Sequence, residues 1–458
     1  MWRKPSYRSL ELRHPCLLTL FSAASQSCMP CEVPMKTLLT ILISPAALLS
    51  FVALWRPASR ALQVFLWLPK LVAGALAPVY ALLGAIAAAF GLARRDGLLA
   101  VAGLAAAGFS GRFLADIPSS NEQFEAAFGR DWQERLPAHL RPGRPEPRWL
   151  WPTGSQAQAS FQQNVVLGWH PNNDRPLLAD IWQPPAGVAR SGLGLVYVHG
   201  SGWRVGDKDL GTRHFFRRLA NQGHTIVDVA YTLWPEAQIA TMVSEVNQAV
   251  VWLRENSAAL GVNPARIVLI GGSAGGQLVL SAAYQPGEPA FQPFGGEESA
   301  PVQGVIAIYP AIDFVELDDF AEETRASATG PLDRLALSFM DRLFTLQSHS
   351  QHPEKDARMR TLLGGAPDEV PDTYRLLSPN FHVGPDCPPT LLLVAGDDIF
   401  HLGPAAHRLH DELRLAGVPS ILVEFPHAEH AFDLVLPEIS PLARATTVDV
   451  ERFLALLV

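Results

Sequence analysis

Residues 266–276 read Arg-Ile-Val-Leu-Ile-Gly-Gly-Ser-Ala-Gly-Gly, and they constrain the fold more than any other stretch. The run 267–270 is apolar and β-branched, as a strand buried on both faces requires. It passes directly into Gly271-Gly-Ser273-Ala-Gly275 and then into a helical pattern over 277–283. A serine on so sharp a strand-to-helix turn needs small neighbours, because larger side chains would collide with the adjoining elements. The helix start aims its N–H groups and positive dipole end at the turn. Ser273 is therefore the candidate nucleophile. The bland reading is an ordinary glycine-rich turn, and the rest of the chain decides between them.

A serine hydroxyl attacks only when a base removes its proton and an acid orients that base. An apolar strand over 390–395 ends at Gly396-Asp397-Asp398, on the rim where the nucleophile turn sits. Another, over 421–425, leads into Pro426-His427-Ala-Glu-His430-Ala-Phe432. His430 is the better base, where the loop turns back toward the last helix; His427 follows the strand at once and is expected to face solvent. Asp397 and Asp398 are both candidate acids. The negative oxygen of a tetrahedral intermediate needs preset N–H donors. His199-Gly-Ser201-Gly202-Trp203, following a strand over 195–198, supplies them, with Ser201, Gly202 and Ala274 as the expected donor set. No cofactor or metal is needed for this chemistry.

From residue 161 strands and helices alternate. Strands are expected over 161–167 and 177–182 as an antiparallel pair, then over 194–198, 224–230, 267–270, 304–309, 390–395 and 421–425. Helices are expected over 215–222, 239–256, 404–416 and 441–457. Continuous apolar strands in this rhythm give an α/β fold, a mostly parallel sheet covered by helices on both faces. Residues 311–388 form a lid-like insertion with a helix around 331–347. With Trp203, it is expected to shape the substrate pocket.

Three motifs resemble the hormone-sensitive-lipase-like and carboxylesterase-like branch of the α/β-hydrolases, over about residues 165–458. They are His199-Gly-Ser-Gly-Trp203, Tyr231-Thr-Leu-Trp-Pro-Glu236 and Gly271-Gly-Ser-Ala-Gly-Gly276. The resemblance implies an α/β-hydrolase catalytic domain over 161–458 with a Ser-His-Asp triad. Counting back from the following helix, it favours Asp398 over Asp397. Ser201 stands where the family has a glycine, and the acid loop departs by one residue. The resemblance implies a serine esterase acting on a small-molecule or lipid-like ester. An amidase or peptidase, or a non-catalytic binding protein, on the same scaffold are the other readings.

Charge is the second constraint. Residues 35–115 carry almost none except at segment ends, and mean hydropathy over the chain is above zero. Apolar runs over 37–55, 71–93 and 98–114 are expected as two or three transmembrane helices. Met35-Lys36 opens the first like a signal anchor, so the natural start is Met1 or Met35. With a cytoplasmic N-terminus and three spans, the catalytic domain lies outside. Residues 1–34 read as a disordered basic N-terminus and 116–160 as a linker. A net charge of −8 with 17% charged residues gives no basic surface for nucleic acid. Three of the four cysteines lie in the first 31 residues; Cys28 and Cys31 have C-x-x-C spacing without further ligands, and Cys387 is alone.

Overall fold

The computed structural model describes residues 35–142, 157–171, 174–295, 300–345 and 359–458. The expected disordered N-terminus and Cys28–Cys31 lie outside them. Four apolar helices come first: α1 (Met35–Leu54), α2 (Arg60–Ala75), α3 (Ala77–Arg94) and α4 (Gly97–Ala115). Polar caps start two of them. Ser59 Oγ accepts from the Leu62 amide and Asp96 Oδ1 from the Leu99 amide, satisfying donors the helix cannot. The α3–α4 pair packs through small residues: a Cβ added at Gly103 would lie 2.4 Å from the Ala88 nitrogen, and one at Gly84 2.5 Å from the Ala107 nitrogen. The Ser50 and Ser110 hydroxyls hydrogen-bond at 2.8 Å, joining α1 to α4.

The run expected as one helix over 71–93 is divided at Leu76. Pro78, second residue of α3, has no N–H to extend α2. Lys70, Leu71 and Ala73 on α2 are buried. By length and composition α3 and α4 are the two described helices long and apolar enough to cross a bilayer, and the apolar stretch Thr40–Leu54 of α1 is shorter.

The chain expected as a linker contains α5 (Asn121–Phe128), and its described part lies against the following domain. Phe124, Trp132, Leu136 and Leu140 are buried in the same cluster as Phe453 and Leu454. Ser120 Oγ donates to Asp449 at 2.5 Å. Phe124 on α5 and the isolated anchors Trp132, Leu136 and Leu140 hold it there.

The domain alternates β1 (Ser160–Trp169), β2 (Pro176–Gln183), β3 (Gly192–Val198), α6 (Arg213–Asn221), β4 (Thr225–Ala230), α7 (Ile239–Glu255), α8 (Ser257–Leu260), β5 (Val262–Gly272), α9 (Ala274–Tyr284) and β6 (Gly304–Ile308). The insertion supplies α10 (Phe314–Ser327), α11 (Pro331–Thr345), α12 (Met359–Leu363) and α13 (Pro371–Leu377). The chain ends with β7 (Thr390–Ala395), α14 (Gly403–Leu415), β8 (Ser420–Phe425) and α15 (Pro441–Leu457).

The eight strands form one sheet in the order β1-β2-β4-β3-β5-β6-β7-β8. β2 pairs antiparallel with β1 and β4, and the other pairings are parallel. From β3 the chain moves outward to β4, then returns past β3 to β5 and runs the other way. The sheet therefore reverses its winding between β3 and β5, where open α/β sheets present ligand sites at strand carboxyl ends. The loops after β3 and β5 hold His199–Trp203 and Ser273.

Candidate active site

Ser273 sits between β5 and α9 with φ 53° and ψ −121°, a backbone region costing a non-glycine residue about 1–3 kcal/mol. Its neighbours show why the turn is built from glycine. A Cβ on Gly275 would lie 2.1 Å from the Val198 carbonyl oxygen, and one on Gly271 2.3 Å from the Gly275 oxygen. The Ser273 amide donates to Ile308 O at 2.8 Å, fastening the turn to β6.

Ser273 Oγ lies 2.9 Å from His430 Nε2, and His430 Nδ1 lies 2.9 Å from Asp398 Oδ2. The carboxylate accepts, so Nδ1 carries the proton and Nε2 is left to accept from the serine hydroxyl. Asp398 and His430 are both 6% exposed, so their contacts operate away from bulk water. The imidazole is boxed by the Tyr309 ring at 4.6 Å and, edge-on, by Phe400 at 4.7 Å. Asp398 Oδ1 also accepts from the Phe400 amide at 2.8 Å. Tyr309 donates its hydroxyl to half-buried Asp433, whose carboxyl desolvation pushes upward.

The acid and base loops are tied together by backbone: Gly396 N donates to Phe425 O at 3.0 Å and Asp397 N to Ala428 O at 2.9 Å. Neighbouring acids face opposite ways. Asp398 meets His430, whereas Asp397 accepts from Lys70 Nζ at 2.7 Å. His427 is not at the site and does not face open solvent: its Nε2 lies 2.9 Å from Asp116 Oδ2, with Phe113 beside the ring.

The loop after β3 lies against the serine turn; a Cβ on Gly200 would come 3.1 Å from Ser273 Cβ. Ser201, Gly202 and Trp203 all have positive φ, which curls the backbone around the turn. Among the described residues neither the Ser201 nor the Gly202 amide has a protein acceptor. The Ser201 hydroxyl is occupied within the loop by Gly200 O and Val205 O, so the side chain that replaces a glycine is turned inward. Ala274 opens α9, where first-turn amides lack helical partners. Burial pulls the His199 imidazole down to about 4, leaving it neutral near pH 7. Its Nδ1 donates to Gly200 O at 2.8 Å, while Tyr231 stacks on the ring and donates to the His199 carbonyl at 3.2 Å. Trp203 is 4% exposed and donates to Gln277 Oε1 at 3.1 Å; its ring meets Phe314 of the insertion.

Three residues that sequence reasoning did not assign to the site come within reach of it. Lys70 bridges Asp397 and Glu429, Trp67 donates from Nε1 to His430 O at 2.9 Å, and Arg56 stands 3.6 Å from Asp397. In the sequence Lys70 and Arg56 mark the ends of apolar runs, and nothing local points to their partners.

A family model described as BD-FAE matches residues 179–402. A Mycobacterium tuberculosis protein named "Probable carboxylic ester hydrolase LipM" is 28% identical over 278 residues, covering 60% of this chain and 57% of its own. "Esterase LipQ" of the same organism is 26% identical over 302 residues, covering 62% and 65%. The family model and these relatives support an α/β-hydrolase carboxylesterase family for this chain. The match spans less than two thirds of the length of either relative. Among solved structures, an esterase from Pyrobaculum calidifontis aligns over 66% of this chain and 86% of its own, at 23% identity and TM-score 0.48.

Proposed function

We propose that this α/β-hydrolase is a membrane-anchored serine hydrolase of carboxylic esters, working through an acyl-enzyme. The observation that carries the reading is the unbroken Ser273–His430–Asp398 chain, with 2.9 Å at each link. His430 Nε2 takes the hydroxyl proton as Ser273 Oγ adds to the ester carbonyl carbon. The resulting oxyanion faces the amides of Ser201, Gly202 and Ala274, each such donor being worth about 3 kcal/mol. Collapse breaks the carbon–alkoxy bond, and the proton on Nε2 passes to the departing alcohol. Water then repeats the sequence, freeing the acid and restoring Ser273. The Asp398 carboxylate stabilises the transient imidazolium.

Anchoring is supported by the helical pair. α3 and α4 hold 18 and 19 residues, about 27 and 29 Å at 1.5 Å per residue, close to a hydrocarbon core. Leu82, Ile86, Leu92, Leu98, Val101 and Leu104 are all exposed on this pair, an apolar surface that lipid would cover. A lipid-like ester is supported by α11, which exposes Leu332, Leu335 and Phe339 and meets α2 through Phe339 and Phe65.

The test is labelling of carbonate-washed membranes with a fluorophosphonate, comparing wild type with Ser273→Ala, followed by hydrolysis of p-nitrophenyl esters of increasing acyl length. The expected result is a labelled full-length band in the washed pellet that disappears in the variant. Labelling that survives Ser273→Ala ends the hydrolase reading, and release of the band by carbonate ends the anchoring reading.

A further inference from the structure

The α/β domain supplies the nucleophile, base and acid, yet a lysine ammonium and a tryptophan N–H that hold the base and acid loops come from outside it. Lys70 of α2 is 4% exposed. Its ammonium reaches Asp397 Oδ2 at 2.7 Å and Glu429 Oε1 at 2.8 Å. Asp397 immediately precedes Asp398, and Glu429 immediately precedes His430. One cation thus bridges the two loops that carry the acid and the base. Three residues earlier on the same helix, Trp67 holds the His430 carbonyl. We propose that Lys70 is a positioning residue for the His430–Asp398 pair, so that docking of the N-terminal helices completes the active site. This rests on the esterase reading above.

The electrostatics explain why a cation is needed. Asp397 and Glu429 are 9% and 3% exposed, and Asp398 adds a third carboxylate close by. Buried like charges without a counter-ion are strongly unfavourable, and the loops would relieve them by separating or by taking up protons. Arg56, beside Asp397, has a side chain 58% exposed, so screening weakens it and Lys70 carries the compensation. On the far side of the base loop, His427 faces Asp116, which Arg112 also contacts. Burial pushes the Glu429 carboxyl up to about 7, with Lys70 pulling the other way and Asp397 and Asp398 adding to the rise. Its second oxygen, Oε2, is buried without a partner. A loop so balanced keeps its geometry only while the ammonium is present. Displacements of about 1 Å in such a constellation cost up to about 100-fold in rate.

The experiment uses full-length protein in lipid nanodiscs: wild type, Lys70→Met, Lys70→Arg and Lys70→Met/Glu429→Gln. Active sites are counted by fluorophosphonate burst, kcat and KM are measured on a p-nitrophenyl ester from pH 5 to 9, and Tm is recorded. Lys70→Met is expected to lower kcat per active site about 10- to 100-fold with KM held within about twofold. Removing the cation leaves negative potential beside the base, which favours its protonated form. The acid limb of kcat/KM therefore moves up, by about one pH unit at most. Lys70→Arg keeps the limb in place, and Glu429→Gln in the Lys70→Met background moves it back toward wild type. A purely structural lysine would lower Tm without changing kcat per active site or the limb, and that result overturns the proposal. If Lys70→Met does not fold, the double variant carries the test: reduced kcat supports the proposal and wild-type kcat overturns it. A wild type with no burst defeats the esterase reading itself, which separates the two failures.

Discussion

In β6, and in β5 from Ile267 to Gly272, every residue is buried, whereas the α3–α4 contact is made mainly by small residues. Ala87, Ala106, Gly84 and Gly103 lie inside that pair; Leu82, Ile86, Leu98, Val101 and Leu104 lie outside. Strands covered by helices on both faces can bury Val, Ile and Leu alike. In the lipid setting proposed above, two helices gain nothing by hiding leucine and gain instead by bringing backbones close, through small residues. The two regions therefore hold together by different forces, and they meet at a polar seam. There Lys70 enters the α/β domain beside the base and the acid.

The largest effect should come from the acids on either side of that seam. Asp398→Asn removes the carboxylate on His430 and is expected to cut kcat about 10⁴-fold. Asp397→Asn, facing Lys70, should cost about tenfold, and a reversed ranking in ester hydrolysis would reassign the acid. Glycine substitutions come next, because the two regions should tolerate the same change differently. Gly275→Ala drives a methyl into the carbonyls of Val198 and His199, which β3 cannot move, since it is paired on both sides. A loss of at least about 100-fold in activity is expected. Gly103→Ala meets Ala88 at similar range, but two helices can slide apart. Thermal unfolding should show a loss of about 1–3 kcal/mol, with activity within about twofold.

The smallest effect concerns the seam's own titration. The Glu429 carboxyl is raised from its ordinary value to about 7, so between about pH 4.5 and 7 the folded chain holds a proton that the unfolded chain has released. Stability from this group is therefore greatest below about pH 4.5 and falls as pH rises through that window. Glu429→Gln should have a Tm that gains on wild type from pH 5 to pH 8. A gap constant with pH would show that Glu429 does not titrate there.

The parts of the site carried by strand ends were legible in the sequence. Ser273, the Asp397–Asp398 pair and His430 each follow an apolar run broken by glycine or proline, and a mostly parallel sheet brings such ends to one rim. The choice between Asp397 and Asp398 was not in the local residues. Adjacent aspartates point to opposite sides, and what separates them is a lysine 327 positions away. Lys70 itself read as a boundary charge because its neighbours are apolar; only the burial of one face of α2 reveals it as an inward-pointing group. The division at Leu76 was hidden because hydropathy stays high across it. Trp132 and Leu140 escaped notice because isolated anchors in a proline- and arginine-rich stretch have no period to detect.

The hydrogen bond from Trp67 to His430 spans 363 positions, and that from Ser273 to His430 spans 157. During translation the helices and the nucleophile turn leave the ribosome long before the base is made. An incomplete chain therefore carries Ser273 without the means to activate it. Because domains mature from the N-terminus onward, the helices must wait for a loop made 363 residues later. On the function proposed above, the nascent protein is kept from attacking esters in its surroundings simply by the order in which its residues are joined.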